Sequence, residues 1–162
     1  FKDQMKKNGF TLVEIIITIG ILAILFSLPT LFLWGIGRAD SLESIEREVV
    51  SIIGEAQTYT ISGRSLDGSE PSSYGVHFEQ GYYVYFKGTS YNATDPDNLQ
   101  TDLPPGIILS QISLPSNNIV FEQVTGEVAG FDPNANFVTV ADANTGNQVS
   151  ITVSKYGGVD YE

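Results

Sequence analysis

The sequence predicts an α+β protein in which a long N-terminal helix, half membrane-spanning and half amphipathic, packs on a mostly antiparallel β-sheet head. Three observations carry this reading. An apolar run extends from Phe10 to Ile36, 27 residues whose only charge is Glu14. Apolar residues then recur three and four apart from Leu42 to Tyr59. Beyond Gly63 the pattern breaks into short β-branched and aromatic runs with turn residues between them.

A bilayer takes about 20 consecutive apolar residues to cross, so the first run is long enough to span one. A removable secretory signal has an apolar stretch of only about 7 to 15 residues. This run continues through Phe32, Leu33 and Trp34, and it is expected to persist as an anchor. Lys2, Lys6 and Lys7 precede it, and Arg38, Asp40 and Glu43 follow it, which directs the N-terminus to the cytoplasm. The head is then extracytoplasmic.

In the next segment Leu42, Ile45, Val49, Ile52, Ala56 and Tyr59 fall on one helical face, while Glu43, Glu46, Arg47 and Glu55 take the others. Such a helix needs something to cover. Ser62 and Gly63 supply its stop. Pro29, Gly35 and Gly37 can bend the join between the two helical stretches, and the pattern leaves open whether they form one rod.

Tyr74–Phe78 and Tyr82–Phe86 flank Glu79-Gln80-Gly81, a short loop suited to a hairpin. Further strands are predicted over 107–114, 119–123, 137–141 and 149–154, with turns at Gly126, Asp132-Pro133-Asn134 and Asn144-Thr145-Gly146-Asn147. Lys87 to Asp102 has no apolar period and reads as a long surface loop.

The chain has 162 residues, room for one domain and an anchor. Its net charge is −11, and after Leu42 only Arg47, Arg64, Lys87 and Lys155 stand against 16 Asp and Glu. So acidic a head repels phosphate backbones, and no nucleic-acid partner is expected. The absence of cysteine excludes disulfides and thiol chemistry. His77, the single histidine, is expected to be a structural member of the sheet. No Gly-x-Ser-x-Gly elbow, His-Glu-x-x-His or phosphate loop occurs, so the chain is not expected to be an enzyme, and no cofactor or metal is expected.

Lys6-Lys7-Asn8-Gly9-Phe10-Thr11-Leu12-Val13-Glu14, leading directly into the apolar run, resembles the type IV prepilin leader and N-methylation motif of pilins and of the pseudopilins of type II secretion. The resemblance implies cleavage between Gly9 and Phe10 by a membrane aspartyl peptidase, then N-methylation of Phe10. Glycine before the scissile bond leaves the backbone unobstructed. Glu14 becomes the fifth residue of the mature chain, and an acid inside hydrocarbon costs about 2.5 to 3.5 kcal/mol, so it implies a partner. In the family that partner is the amino terminus of a neighbouring subunit, and Glu14 sets the stagger of assembly. The family often carries a proline about two residues later in the span than Pro29, a departure that bears on where the helix bends.

The head resembles, more loosely, the minor pseudopilin H and fimbrial T group, through Tyr74-Gly75-Val76-His77-Phe78, Leu103-Pro104-Pro105-Gly106-Ile107, Ile119-Val120-Phe121 and the closing Ile151-Thr152-Val153 with Gly157-Gly158-Val159. The division implied is a leader at 1–9, a transmembrane or filament-core helix at 10–36, its amphipathic continuation at 37–63 and a head at 64–162. The function implied is that of a minor pseudopilin in a type II secretion pseudopilus. The alternatives are a minor pilin for adhesion, motility or DNA uptake, or an unprocessed membrane-anchored binding module. Implied partners are other pilin or pseudopilin subunits, the prepilin peptidase and methyltransferase, the membrane platform and ATPase of the assembly machine, and secreted cargo. The implied location is the bacterial inner membrane, single-pass, and then the filament.

Weaker signals have plainer readings. Asp142-Ala143-Asn144-Thr145-Gly146 resembles part of a calcium loop but lies between two predicted strands and reads as a hairpin turn. Asp95, Asp97 and Asp102 read as a solvated acidic loop, and Asn92-Ala93-Thr94 is a glycosylation sequon by pattern alone. On a strand, Tyr83 and Tyr85 share one face and Tyr82, Val84 and Phe86 the other, so one set is expected in the core and the other half-exposed.

Overall fold

The computed structural model describes residues 11–63 and 72–161, with the side chains of residues 24–41 excepted. The expected cleavage pair Gly9 and Phe10, and the side chains in the second half of the expected span, therefore lie outside what is described. The chain divides into two compact units, residues 1–39 and 40–162. Helix α1 (Leu12–Ser62) begins in the first and ends in the second.

The second unit is α+β, with two four-stranded antiparallel sheets. The strands are β1 (Tyr74–Glu79), β2 (Tyr82–Lys87), β3 (Leu99–Asp102), β4 (Ile107–Ser113), β5 (Asn118–Val120), β6 (Phe137–Asp142), β7 (Gln148–Val153) and β8 (Val159–Tyr161). One sheet has the order β3-β2-β1-β5, the other β4-β6-β7-β8. The β1–β2 hairpin closes at the pair Glu79–Tyr82, leaving Gln80 and Gly81 as its turn. The helix ends as expected, with Gly63 in the left-handed region (φ 60°) just past Ser62, a conformation that costs glycine nothing.

The strand expectations hold except at the edges. Lys87–Asp102 is not all loop, because Leu99–Asp102 pairs with β2 as an edge strand. Three of its four side chains are exposed, so backbone pairing alone holds it and no apolar period marks it. Strand β8 was likewise unforeseen, and it too is a short edge element.

The helical stripe is shifted from the expected one. Ile45, Val49, Ile53, Ala56 and Thr60 are buried, whereas Ile52 and Tyr59 are only half-buried. Steps of four, four, three and four follow the true helical period of 3.6, while the expected row advanced by 3.5 and drifts off the buried face. This stripe meets Tyr74, Val76 and Phe78 of β1, Tyr83 and Tyr85 of β2, Ile119, Phe121 and the inward residues of β4, β6 and β7 in one core. Tyr74 lies between Tyr59 and Tyr85, with ring centroids 5.8 and 5.5 Å away. Its N–H donates to Thr60 Oγ1 at 2.9 Å, which ties the helix end to the first strand.

Both faces of β2 are buried, against the expectation of a half-exposed aromatic row. Tyr83 and Tyr85 face the helix, where the Tyr83 hydroxyl donates to Glu48 at 2.5 Å. Burial first, and the Glu48 carboxylate second, hold the Tyr83 phenol well above its ordinary pKa. On the other face Tyr91, from the loop after β2, covers the sheet. It stacks on His77 at 3.9 Å and tilts against Phe86 at 5.6 Å. Opposite Phe86 sits Gly75, where a Cβ would come within 2.6 Å of the Ile119 carbonyl and 2.7 Å of the Phe86 ring. Gly75→Ala is expected to cost about 1–3 kcal/mol, because backbone must move to admit one methyl group. Urea unfolding of the detergent-solubilised chain, followed by near-UV circular dichroism, measures it. A loss below about 0.5 kcal/mol would show that the sheet yields freely there.

Candidate functional site: the start of the helix and its uncovered apolar surface

In the first unit the described side chains from Thr11 to Ala23 are all exposed. Among them Leu12, Val13, Ile15, Ile16, Ile17, Ile19, Ile21 and Leu22 are between 48% and 74% exposed, so the helix is apolar all round and uncovered. A helix of that kind is stable only inside an apolar surrounding, either lipid or other helices. Within the chain itself nothing described supplies one. Among the described residues no helix is long and apolar enough to cross a membrane.

The helix start is built by Thr11. Its carbonyl accepts the first intrahelical bond, from Ile15 N–H at 3.2 Å, and its Oγ1 accepts from Glu14 N–H at 3.3 Å. Thr11-Leu12-Val13-Glu14 is thus the Thr-x-x-Glu pattern of a capping box, with the acid in the first turn, where the helix dipole favours negative charge. Sequence reasoning assigned Glu14 to assembly and missed this local role, although the spacing of Thr11 and Glu14 signals it. The Glu14 carboxylate is exposed and makes no hydrogen bond or ion pair among the described residues, so it is free to meet a cation from outside. Thr18 adds no uncompensated polarity, because its hydroxyl donates to the carbonyls of Glu14 and Ile15, each at 2.9 Å.

The other singled-out residues have local duties. His77 sits in β1 with its ring nitrogens 2.7 Å from Asn118 Oδ1 and 3.2 Å from Glu79 Oε1. Asp95 caps its own turn by accepting from Asp97 N–H at 3.0 Å, and Asp102 accepts from Gln100 Nε2 at 2.7 Å. Asn92 Oδ1 accepts from Thr94 Oγ1 at 3.0 Å, a turn within the exposed sequon. Among the described residues no group of three His, Asp or Glu side chains is placed to hold a metal ion.

Asp142 starts the expected β6–β7 hairpin turn. Its carboxylate accepts from Asn144 N–H at 2.8 Å and from Thr145 Oγ1 at 2.8 Å, and these bonds, the Asn144 N–H first, hold its pKa below the ordinary carboxylate value. A depressed folded-state pKa contributes stability that is complete above the unfolded value, about 3.9, and is lost as pH falls through the folded one. Asp142→Asn is therefore expected to flatten the fall in melting temperature below about pH 4 relative to wild type. Parallel slopes for the two proteins there would show that the turn is not the acid-sensitive element.

Residues 4–28 match the model of the prokaryotic N-terminal methylation motif. Neither the curated proteins nor the solved structures give a match to the chain. The matched segment holds Lys6 and Lys7, Gly9-Phe10, the Thr11 cap, Glu14 and the whole uncovered apolar stretch from Leu12 to Leu22. That motif is the leader of type IV pilin-like proteins, and this chain carries it at residues 4–28.

Proposed function

We propose that the chain is a minor pseudopilin, a subunit assembled into the pseudopilus of a type II secretion system. The observation that carries this is the union of a methylation motif at 4–28 with a helix that is apolar on every side and uncovered in the single chain. In this reading residues 1–9 are the leader, 10–36 the membrane anchor and later the filament core, 37–63 the amphipathic continuation of one helical spine, and 64–162 the extracytoplasmic head. The protein enters the inner membrane with its N-terminus cytoplasmic. Cleavage after Gly9 frees the amino group of Phe10, which is methylated, and Glu14 pairs with the amino terminus of a neighbour as the helices leave lipid for the bundle. The platform and ATPase of the assembly machine drive that transfer, and no substrate is turned over. The looser likeness of the head to the minor pseudopilin H group favours the secretion machine over a pilus.

Intact mass spectrometry of the membrane-extracted protein, made with and without a prepilin peptidase, tests the pathway. The expected product is a chain beginning at methylated Phe10, seen only with the peptidase and lost completely in Gly9→Ala. A leader retained in every case would leave a membrane-anchored binding module. Deletion of the gene separates the machines: loss of exoprotein secretion with pili intact agrees with the pseudopilin, and loss of pili with secretion intact points to a pilus subunit.

A further inference from the structure

The second unit contains a groove of about 560 Å³ lined by Glu43, Glu46, Arg47, Val50, Ser51 and Tyr161. One wall is a side of α1 adjoining its buried stripe, and the other is Tyr161 of β8, the outer strand of its sheet. Two independent features of these walls are incomplete.

The first is Glu46. It is only 9% exposed, yet its carboxylate makes no hydrogen bond or ion pair among the described residues. Its neighbours do not help it, because Arg47 is already paired with Glu43 one helical turn away. Its carboxylate is therefore left to the water of the groove, and a cation brought there meets no competing partner.

The second is the free edge of β8. Ser154 N–H donates to the Gly158 carbonyl at 2.8 Å, and the β7–β8 register continues through Val153–Val159, Thr152–Asp160 and Ile151–Tyr161. Antiparallel pairs alternate between bonded and non-bonded, so Asp160 turns its backbone toward β7 while Val159 and Tyr161 turn theirs away. Among the described residues no other element bonds to those outward groups. An unpaired row of N–H and C=O beside a groove is a template for one more strand.

We propose that this groove takes an extended, lysine- or arginine-bearing segment of another protein, which adds as a fifth strand beside β8 and sets one cationic side chain against Glu46. The spacing of the helical wall suits a strand. Glu46 and Val50 are one turn apart, about 6 Å along the axis, and alternate side chains of a strand are about 6.6 Å apart. The fitting sequence is therefore cation–any–apolar, with the apolar residue over Val50. Charge selects the partner as well. With four Lys and Arg against 16 Asp and Glu beyond Leu42, a second copy of this head is repelled and a basic segment is attracted. The inference stands on the second unit alone and does not depend on leader cleavage.

The test uses the detergent-solubilised full chain and a fluorescein-labelled ten-residue peptide of alternating Lys and Val, read by polarisation. Its controls are the Glu–Val peptide and a Lys–Val peptide N-methylated at alternate backbone positions. Expected are saturable Lys–Val binding, at least tenfold weaker binding of both controls, and a tenfold or greater loss in Glu46→Gln. Tyr161→Pro, which removes one outward N–H at an edge where proline is tolerated, is expected to bind more weakly than Tyr161→Ala, which keeps it. Near-UV circular dichroism confirms that each variant is folded. Failure of Lys–Val to bind, or equal binding by Glu46→Gln, overturns the proposal. Equal binding of the N-methylated peptide overturns strand addition and leaves a cation site alone.

Discussion

Phe121→Ala is expected to destabilise the second unit by about 3–5 kcal/mol, the usual cost of emptying a fully enclosed aromatic site. Phe121 is 0% exposed and belongs to the central core shared by the helix and both sheets. Its N–H donates to the Tyr74 carbonyl at 3.1 Å, and it bridges to Val128, so backbone on both sides is fixed and cannot collapse into the void. Domains of this size are stable by about 5–15 kcal/mol in total, so one substitution removes a large share. Urea unfolding of the detergent-solubilised chain gives the number. A loss under about 1 kcal/mol would mean that the core repacks around the site. Val124→Ala is the comparison outside the core: Val124 is 86% exposed and sits at φ 72°, where a β-branched residue is strained, so this change is not expected to destabilise.

The interior of the fold was legible because burial writes itself into sequence. Strands β1, β2, β6 and β7 contribute to the core, and each shows the β-branched and aromatic residues that burial requires. Strands β3 and β8 are held mainly by backbone bonds on one side, which any residue can make, so Leu99-Gln100-Thr101-Asp102 left no trace. The aromatic row of β2 misled for a related reason. A period-two pattern shows that two faces differ, but the lid on the outer face, Tyr91, comes from a loop that carries no pattern.

The candidate site divides in the same way. The leader order and the long apolar run were plain, because both are contiguous in sequence and independent of how the head folds. Glu46 was not. It was placed on a polar helical face, and only the approach of Tyr161, 115 positions later, makes a walled groove there. Thr11 falls between these cases. The capping pattern was readable from spacing, but the charge of Glu14 in an apolar run drew attention to a partner between chains and away from the one within.

The assembly duty of the Glu14 carboxylate can be tested apart from the backbone cap, and the result is expected to be large. Glu14→Leu removes the polar group altogether and Glu14→Gln removes the charge alone, while both keep the backbone N–H that donates to Thr11 Oγ1. Inserting either variant into lipid is easier than inserting the wild type, because the cost of an acid in hydrocarbon is gone. Leader cleavage and membrane insertion are therefore expected to persist in both. Assembly is expected to fall in both, by about 3 kcal/mol per lost contact, the lower end of what breaking a buried ion pair costs. That corresponds to roughly 150-fold at each subunit joint. Sheared filaments and membrane fractions, quantified by immunoblot, give the ratio of assembled to inserted protein. If Glu14→Gln assembles like wild type while Glu14→Leu does not, the residue works by a polar contact that needs no charge, and ion pairing with a neighbour's amino terminus is wrong. If both variants assemble normally, the uncovered apolar surface from Leu12 to Leu22 drives packing without any polar guide, and stagger must be set by contacts between the heads.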